Sequence, residues 1–329
     1  MTGKIIVTGG AGFIGRNIIA GLNARGESRI IVVDQLGTSE KWSNLVGLRY
    51  EDYIEKDEFL GLIQADRMDG VSGIVHMGAC SATTERDASY LVRNNYRYTR
   101  DLCEWALTHA VRFVYASSAA TYGDGRLGYS DADEVTPTLV PLNMYGYSKQ
   151  MFDLWALHKG VLGMIAGLKY FNVYGPHEDH KGDMRSVVHK AFGQVMETGR
   201  VRLFASYKDE YADGEQVRDF VYVKDAVDLT LHLLEHPEMS GLFNCGTGQA
   251  RSWNDLANAV FAAMGREPQI EYIEMPEALR GKYQYYTQAE MGKVHASGYD
   301  RPFTSLEDGV RDYVENHLNN YWAGVSCKS

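Results

Sequence analysis

Apolar positions along the chain come in short β-branched runs separated by longer stretches with helical spacing. Ile5-Ile6-Val7 stops at Thr8-Gly9-Gly10-Ala11-Gly12-Phe13-Ile14-Gly15, and apolar residues then return at helical intervals through Ile18, Ile19 and Leu22. The order is strand, glycine turn, helix. Ile30 to Val33 reads as a second strand, Gly73 to His76 as a third, Arg112 to Ala116 as a fourth and Gly163 to Tyr170 as a fifth. A long helical pattern from about Ala88 to His109 lies between the third and the fourth. Strands alternating with helices predict a parallel sheet with helices on both faces, an α/β fold of the doubly wound Rossmann type.

The stretch from Gly123 to Asn143 has no periodicity and is expected to be a loop. Asn143 opens a further helix, with Phe152, Leu154, Trp155 and Leu157 as its expected buried side and Tyr145 and Lys149 near its start. After a polar loop from His177 to Met184 the rhythm changes. Val187 to Met196 is expected to be helical, Arg202 to Phe204 a strand, Tyr207 to Gln216 a polar insertion, and Arg218 to Val223 a return to regular structure followed by a helix. Gly241 to Gly246 looks like a late strand of the main sheet. The expected division is a dinucleotide-binding domain over 1–171, rejoined by about 220–246, and a smaller substrate-binding lobe built from 172–219 and 247–329.

Composition narrows the function. A net charge of −10 argues against nucleic acid or an anionic membrane surface as a partner, so any polyphosphate must be held by local basic groups. Cys80, Cys103, Cys245 and Cys327 are scattered without Cys-x-x-Cys spacing, and reduced buried thiols are expected. His177 and His180 stand three apart without a third ligand nearby, so no metal site is expected. The chain opens directly into a strand without a secretory pattern and contains no apolar run of about 18 residues, which points to the cytoplasm.

Candidate chemistry sits where this fold binds ligands, at strand C-termini. Gly9, Gly12 and Gly15 remove Cβ atoms where a pyrophosphate approaches the backbone, next to the free N–H groups of a helix start. Asp34, about 20 residues on, is placed to meet a ribose 2′-hydroxyl. That suits NAD, whereas Lys41 and Lys56 could neutralise the 2′-phosphate of NADP. Met77-Gly78-Ala79-Cys80-Ser81 and Ser117-Ser118 end the third and fourth strands. Tyr145 and Lys149, four apart on a helix, put an ammonium beside a phenol and favour its ionised form, a pair able to move a proton to or from an alcohol.

Four stretches together resemble the extended short-chain dehydrogenase/reductases that act on nucleotide sugars: residues 8–15, Ser117-Ser118-Ala119-Ala120-Thr121-Tyr122-Gly123, Tyr145-Gly146-Tyr147-Ser148-Lys149, and Tyr170-Phe171-Asn172-Val173-Tyr174-Gly175-Pro176. A narrower resemblance, to the ADP-L-glycero-D-manno-heptose 6-epimerase family, runs to about Tyr313. It is carried by Gly78 to Glu85, Asn94-Asn95-Tyr96, His180-Lys181-Gly182, Arg218 to Val223, Gly281-Lys282-Tyr283-Gln284 and Thr287-Gln288-Ala289.

That resemblance implies inversion of the exocyclic C6 centre of ADP-heptose by transient oxidation and re-reduction, supplying a lipopolysaccharide core precursor. It implies a tightly held NADP, with NAD as the alternative, lined by Phe13, Ile14, Asp34, Gln35, Lys41, Lys56, Met77 to Ser81, Asn94 and Val173. Tyr145 and Lys181 would be the two acid/base groups, both also next to the cofactor, assisted by Ser118 and Lys149. Asn172, Asp183, Lys190, Phe204, Ala205, Ser206, Tyr207, Arg218, Tyr283 and Ser118 would meet the substrate. The implied assembly is a homo-oligomer, a homopentamer. Three departures stand out: a long insertion up to Gln216, His189-Lys190 where the family often has one histidine, and Asp183 as an extra anion expected close to Lys181. A related nucleotide-sugar enzyme, such as a UDP-hexose 4-epimerase, is the alternative activity, and a non-catalytic NADP-binding protein the alternative of another class.

Overall fold

The structure is a computed structural model that describes residues 3–280 and 283–326, so Gly281-Lys282 of the resemblance and Cys327 lie outside the described residues. In chain order the first elements are β1 (Lys4–Thr8), α1 (Phe13–Ala24), β2 (Ile30–Asp34), β3 (Asp52–Glu55), α2 (Lys56–Gln64), β4 (Val71–His76) and α3 (Ala88–Leu91). A π turn over Val92–Arg97 joins α3 to α4 (Tyr98–Thr108), followed by β5 (Arg112–Ser118), α5 (Met144–His158), β6 (Ala166–Tyr170), β7 (Asn172–Tyr174), α6 (Val187–Thr198) and β8 (Val201–Phe204). Then come β9 (Val217–Tyr222), α7 (Val223–Glu235), β10 (Gly241–Cys245), β11 (Ala250–Ser252), α8 (Trp253–Ala263) and β12 (Ile270–Ile273). The chain closes with α9 (Glu277–Arg280), α10 (Gly292–Ala296), α11 (Leu306–Tyr313) and α12 (Asn319–Ser326).

Two compact units form. The first comprises 1–170, 226–245 and 290–300, the second 171–225, 246–289 and 301–329. The first carries a seven-stranded parallel sheet in the order β10-β6-β5-β4-β1-β2-β3, a doubly wound fold whose order reverses between β1 and β4. β9 does not join that sheet; it pairs with β7 and β11, which keeps 220–225 in the second unit. The second unit also holds the two-stranded pair β8–β12.

The sheet's central strands are apolar because both faces are covered: Ile31, Val33, Ile74 and Phe113 pack with Phe59, Leu102, Phe152 and Ile165 into one core. At roughly 25 cal/mol per Å² of apolar surface removed from water, this core is the main stabilising contribution. β3 is the strand the sequence did not announce. It sits at the sheet edge with exposed or half-exposed positions throughout, so it lacks the apolar run that marks its neighbours. The loop before α5 also contains a short 3₁₀ turn over Asp133–Thr138.

α5 begins as expected, with the Asn143 side chain accepting from Gly146 N at 2.8 Å. Its buried face differs from the expectation. Lys149, Phe152, Asp153 and Ala156 point inward, while Leu154, Trp155 and Leu157 are half-buried at the core's margin, because polar side chains occupy the centre of the packing face.

His76, at the end of β4, is wholly buried between two hydroxyls, with Nδ1 2.6 Å from Thr8 Oγ1 and Nε2 2.8 Å from Thr99 Oγ1. Burial, helped by the charge of Lys149, pushes this imidazole down to about 3. An unfolded histidine titrates near ~6.5, so as pH falls the unfolded chain takes up the proton first. Stability is therefore unaffected above that value and is lost by up to ~1.4 kcal/mol per pH unit between it and the folded value. Urea unfolding of the protein and of His76→Gln between pH 7 and 5 should show a flatter acid dependence in the variant. Equal slopes would refute this reading.

Candidate active site

In the first unit, the turn between β1 and α1 is shaped by close backbone approach. Gly9 has a φ of +66°, and a Cβ there would lie 2.7 Å from Gly78 N; a Cβ on Gly15 would lie 2.1 Å from Gly9 O. Gly12 caps α1, and Phe13, Ile14 and Gly15 form its first turn. Asp34 ends β2 with its carboxylate accepting from Ala11 N at 2.8 Å and Gln35 N at 2.7 Å. Lys41 Nζ pairs with the same carboxylate at 2.5 Å.

A cavity of about 180 Å³ opens over these groups, lined by Gly9, Asp34, Gln35, Lys41, Lys56, Gly78, Ala79, Cys80 and Asn94. Thr8, Val33, Tyr90 and Tyr98, which sequence reasoning did not single out, complete it. Lys56 Nζ donates to Asn94 Oδ1 at 3.0 Å. Asn95 clamps Cys80, accepting from its N–H and donating to its carbonyl, both at 2.9 Å. Asn95 also donates to Ser148 Oγ at 3.0 Å, which ties this strand end to the start of α5. Met77 is half-buried and Ser81 exposed. The three described cysteines are free thiols, with Cys103 and Cys245 buried and Cys80 half-buried at the cavity wall instead of in the core.

Ser118, Tyr145 and Lys149 meet at the C-terminal end of β5. Burial raises the Tyr145 phenol above its ordinary value, and a hydrogen bond with Ser118 pulls it back. Lys149 Nζ donates to Ala116 O at 2.8 Å, and burial lowers it to about 8, with Asp153 pulling the other way. Lys149 is thus anchored to the strand's backbone, and Ser118 is the group seen to favour the ionised phenol. Ser117, which ends the strand with Ser118, is committed elsewhere: its Oγ donates to Asp153 Oδ2 at 2.7 Å.

Asp153 is the hub beneath this group. It is 0% exposed and also accepts from Tyr115 OH at 2.9 Å and from Lys169 Nζ at 3.0 Å. Lys169 is 1% exposed, and its ammonium also donates to Thr121 Oγ1 at 2.8 Å and lies 5.0 Å from the Tyr122 ring centre. The sequence did carry a signal, a lysine inside the apolar run Ala166-Gly167-Leu168-Lys169-Tyr170, since such a charge needs a buried partner.

The second unit holds the other predicted residues in two groups. Asn172 is exposed and Val173 half-buried on β7. Lys181 is half-buried on a 3₁₀ turn over Asp179–Met184. The anion beside it is Glu178, 3.7 Å away, where Asp183 was expected; Asp183 is exposed and its backbone carbonyl accepts from Lys190 Nζ at 2.5 Å. His189 is buried against Asp179 at 2.8 Å, which leaves Lys190 as the exposed member of that pair.

Arg218 forms the second group, buried between the rings of Trp253 and Tyr283 at 5.5 and 5.1 Å, with Phe204 against Tyr283. Ser206 N donates to Asp213 Oδ1 at 2.7 Å, and Tyr207 N to Tyr285 OH at 3.1 Å, so Ala205, Ser206 and Tyr207 start an insertion pinned by its own polar groups. Tyr207 is exposed, with the Arg280 guanidinium 3.9 Å from its ring centre.

A glycine-shaped phosphate turn, an acidic β2 end and a serine, tyrosine and lysine at the end of β5 are the parts of an enzyme that oxidises and reduces an alcohol carbon with a nicotinamide dinucleotide. The chain belongs to the NAD dependent epimerase/dehydratase family, whose profile matches residues 5–246. It is 59% identical to the ADP-L-glycero-D-manno-heptose-6-epimerase of Nitratidesulfovibrio vulgaris strain Hildenborough, over 95% of this chain and 97% of that protein. It is 51% identical to the protein of the same name from Alkalilimnicola ehrlichii, over 94% and 96%. Among solved structures, the Helicobacter pylori ADP-L-glycero-D-manno-heptose-6-epimerase superposes with a TM-score of 0.80 at 28% identity, covering 96% of each chain. The Thermus thermophilus UDP-glucose 4-epimerase, in complex with NAD, gives 0.74 at 26%, covering 96% and 99%.

Proposed function

We propose that this protein interconverts the D-glycero and L-glycero epimers of ADP-glycero-manno-heptose at C6, an isomerase supplying a lipopolysaccharide core precursor. The observation that carries the substrate is the near end-to-end identity to heptose epimerases from two bacteria. No described helix is long and apolar enough to cross a membrane, and the reading places the enzyme in the cytoplasm as a homo-oligomer.

The carbon to be inverted has no adjacent carbonyl to acidify its hydrogen, and no side chain can remove that hydrogen at neutral pH. A nicotinamide held here would supply the missing chemistry, a reversible acceptor for the carbon's hydride. The turn at Gly9 to Gly15, Asp34 and the cavity lining would hold its dinucleotide. We infer NADP, because Lys41 and Lys56 both line the cavity beside Asp34 and Lys41 already occupies that carboxylate. Denaturing the purified protein and identifying the released nucleotide tests this, and recovery of NAD alone would overturn it.

Tyr145, held by Ser118, moves one proton to or from the substrate oxygen, and Lys181 serves as the second proton-transfer group. Lys149 fixes the helix start that carries Tyr145. Arg218, in its aromatic box, offers a guanidinium for a diphosphate. Incubation with each ADP-heptose epimer and with UDP-galactose, without added cofactor, should give interconversion of the heptoses alone. Turnover of UDP-galactose instead would move the reading to a hexose 4-epimerase. Lys181→Met should lose at least ~10²-fold in kcat, and full activity would leave a single acid/base group.

A further inference from the structure

We propose that Glu178 is a positioning residue for Lys181: its buried carboxylate, 3.7 Å from the Lys181 Nζ, fixes where the amine points and stabilises its ammonium form. The inference rests on the reading of Lys181 as a proton-transfer group. Glu178 is 0% exposed. Its oxygens accept from Ser186 N and Ser186 Oγ, both at 2.5 Å, and from Tyr313 OH at 3.2 Å.

The plain alternative is that Glu178 only caps α6. Ser186 already does that, its Oγ accepting from His189 N at 3.3 Å, so the helix start does not need a second capping oxygen. A carboxylate withdrawn from water costs several kcal/mol unless a cation and further donors meet it. Lys181 is the cation within ion-pair distance, and Ser186 and Tyr313 are the further donors. Gly182, at a φ of +53°, bends the chain immediately after Lys181.

Asp179, His180 and Asp183 share the turn of Lys181, Glu178 and Arg185 flank it, Lys190 and His189 come from α6, and Tyr313 comes from α11. Asp179 Oδ1 lies 2.8 Å from His189 Nε2, on the side of the turn that faces α6. Burial and the nearby charge of Lys190 lower Lys181 below the usual lysine value, and Glu178 opposes both. Removing the Glu178 charge therefore takes away a cause that holds the amine up against burial and Lys190.

The test reads Lys181 directly. Full-length protein is acylated with acetic anhydride across pH, and modification of the Lys181 peptide is followed by mass spectrometry. In Glu178→Gln the midpoint should fall by at least about one pH unit. In Tyr313→Phe, which removes a donor competing for the carboxylate, it should rise; a general loosening of the fold would not give opposite signs. An unmoved midpoint in Glu178→Gln overturns the proposal. If that variant does not fold, by circular dichroism, Tyr313→Phe decides alone, and an unchanged or lower midpoint there is fatal. Under the heptose assay Glu178→Gln should lose kcat with KM kept within about twofold. If the midpoints move as stated while Lys181→Met stays fully active, the ion pair stands but the reading of Lys181 fails and takes the role of Glu178 with it.

Discussion

Tyr145→Phe will retain its bound dinucleotide and lose roughly 10³-fold or more in kcat for heptose epimerisation. In the proposed mechanism the phenol oxygen exchanges the proton with the substrate, while Ser117 is tied to Asp153 and Lys149 to the carbonyl of Ala116. The nucleotide cavity, by contrast, is lined by residues from β1, β2, the segment after β2, α2, and the stretch from the end of β4 to α4, and Tyr145 is not among them. Released nucleotide per chain should match the parent protein while single-turnover inversion disappears. Variant activity within about tenfold of the parent would remove Tyr145 from the mechanism.

Breaking the Asp153–Lys169 pair should be the most destabilising polar substitution in the first unit. Asp153→Asn keeps the shape of the side chain but leaves a fully buried ammonium without its counter-charge, a change that typically costs about 3–5 kcal/mol. At ~2–4 °C per kcal/mol for a unit of this size, the midpoint of thermal unfolding should drop by roughly 10 °C. Replacing both members, Asp153→Asn with Lys169→Met, removes the stranded charge and should recover more than half of the loss, since an apolar pair of similar volume is often as stable as a buried ion pair. A single-variant loss under about 1 kcal/mol, read by urea unfolding, would show the pair to be energetically idle. Because Asp153 lies one helical turn beyond Lys149, the destabilised variant should also disturb the site.

The alternation of strands and helices, the glycine turn and the acidic end of β2 were legible in the sequence because each leaves a local pattern. So were Tyr145, Lys149 and Ser118 as neighbours, once the strand ending in Ser118 and the helix opened by Asn143 were placed. β3 was not legible, since an edge strand with exposed faces has no apolar rhythm to read. The inward side of α5 was legible at Phe152 alone, because the residues beside it on that face are the buried Lys149 and Asp153, which carry no apolar signal. Glu178 escaped for a different reason. Its spacing to Lys181 is ordinary for a polar loop, and only the fold reveals that among the carboxylates near that lysine Glu178 is sealed from water while Asp183 is exposed.

Arg112, at the start of β5, donates to the carbonyls of Leu233 at 2.8 Å and of Met239 at 2.5 Å, and thereby fastens the end of α7 and the approach to β10 to the sheet. These two partners lie more than a hundred residues further along the chain. Because β10 pairs with β6 and is the last strand of the sheet in chain order, that edge of the sheet can be completed only after an interval of further synthesis. The interval is the period in which the nascent protein is most exposed to a chaperone or to pairing with another copy, and a slow codon or a stall before that point would lengthen it.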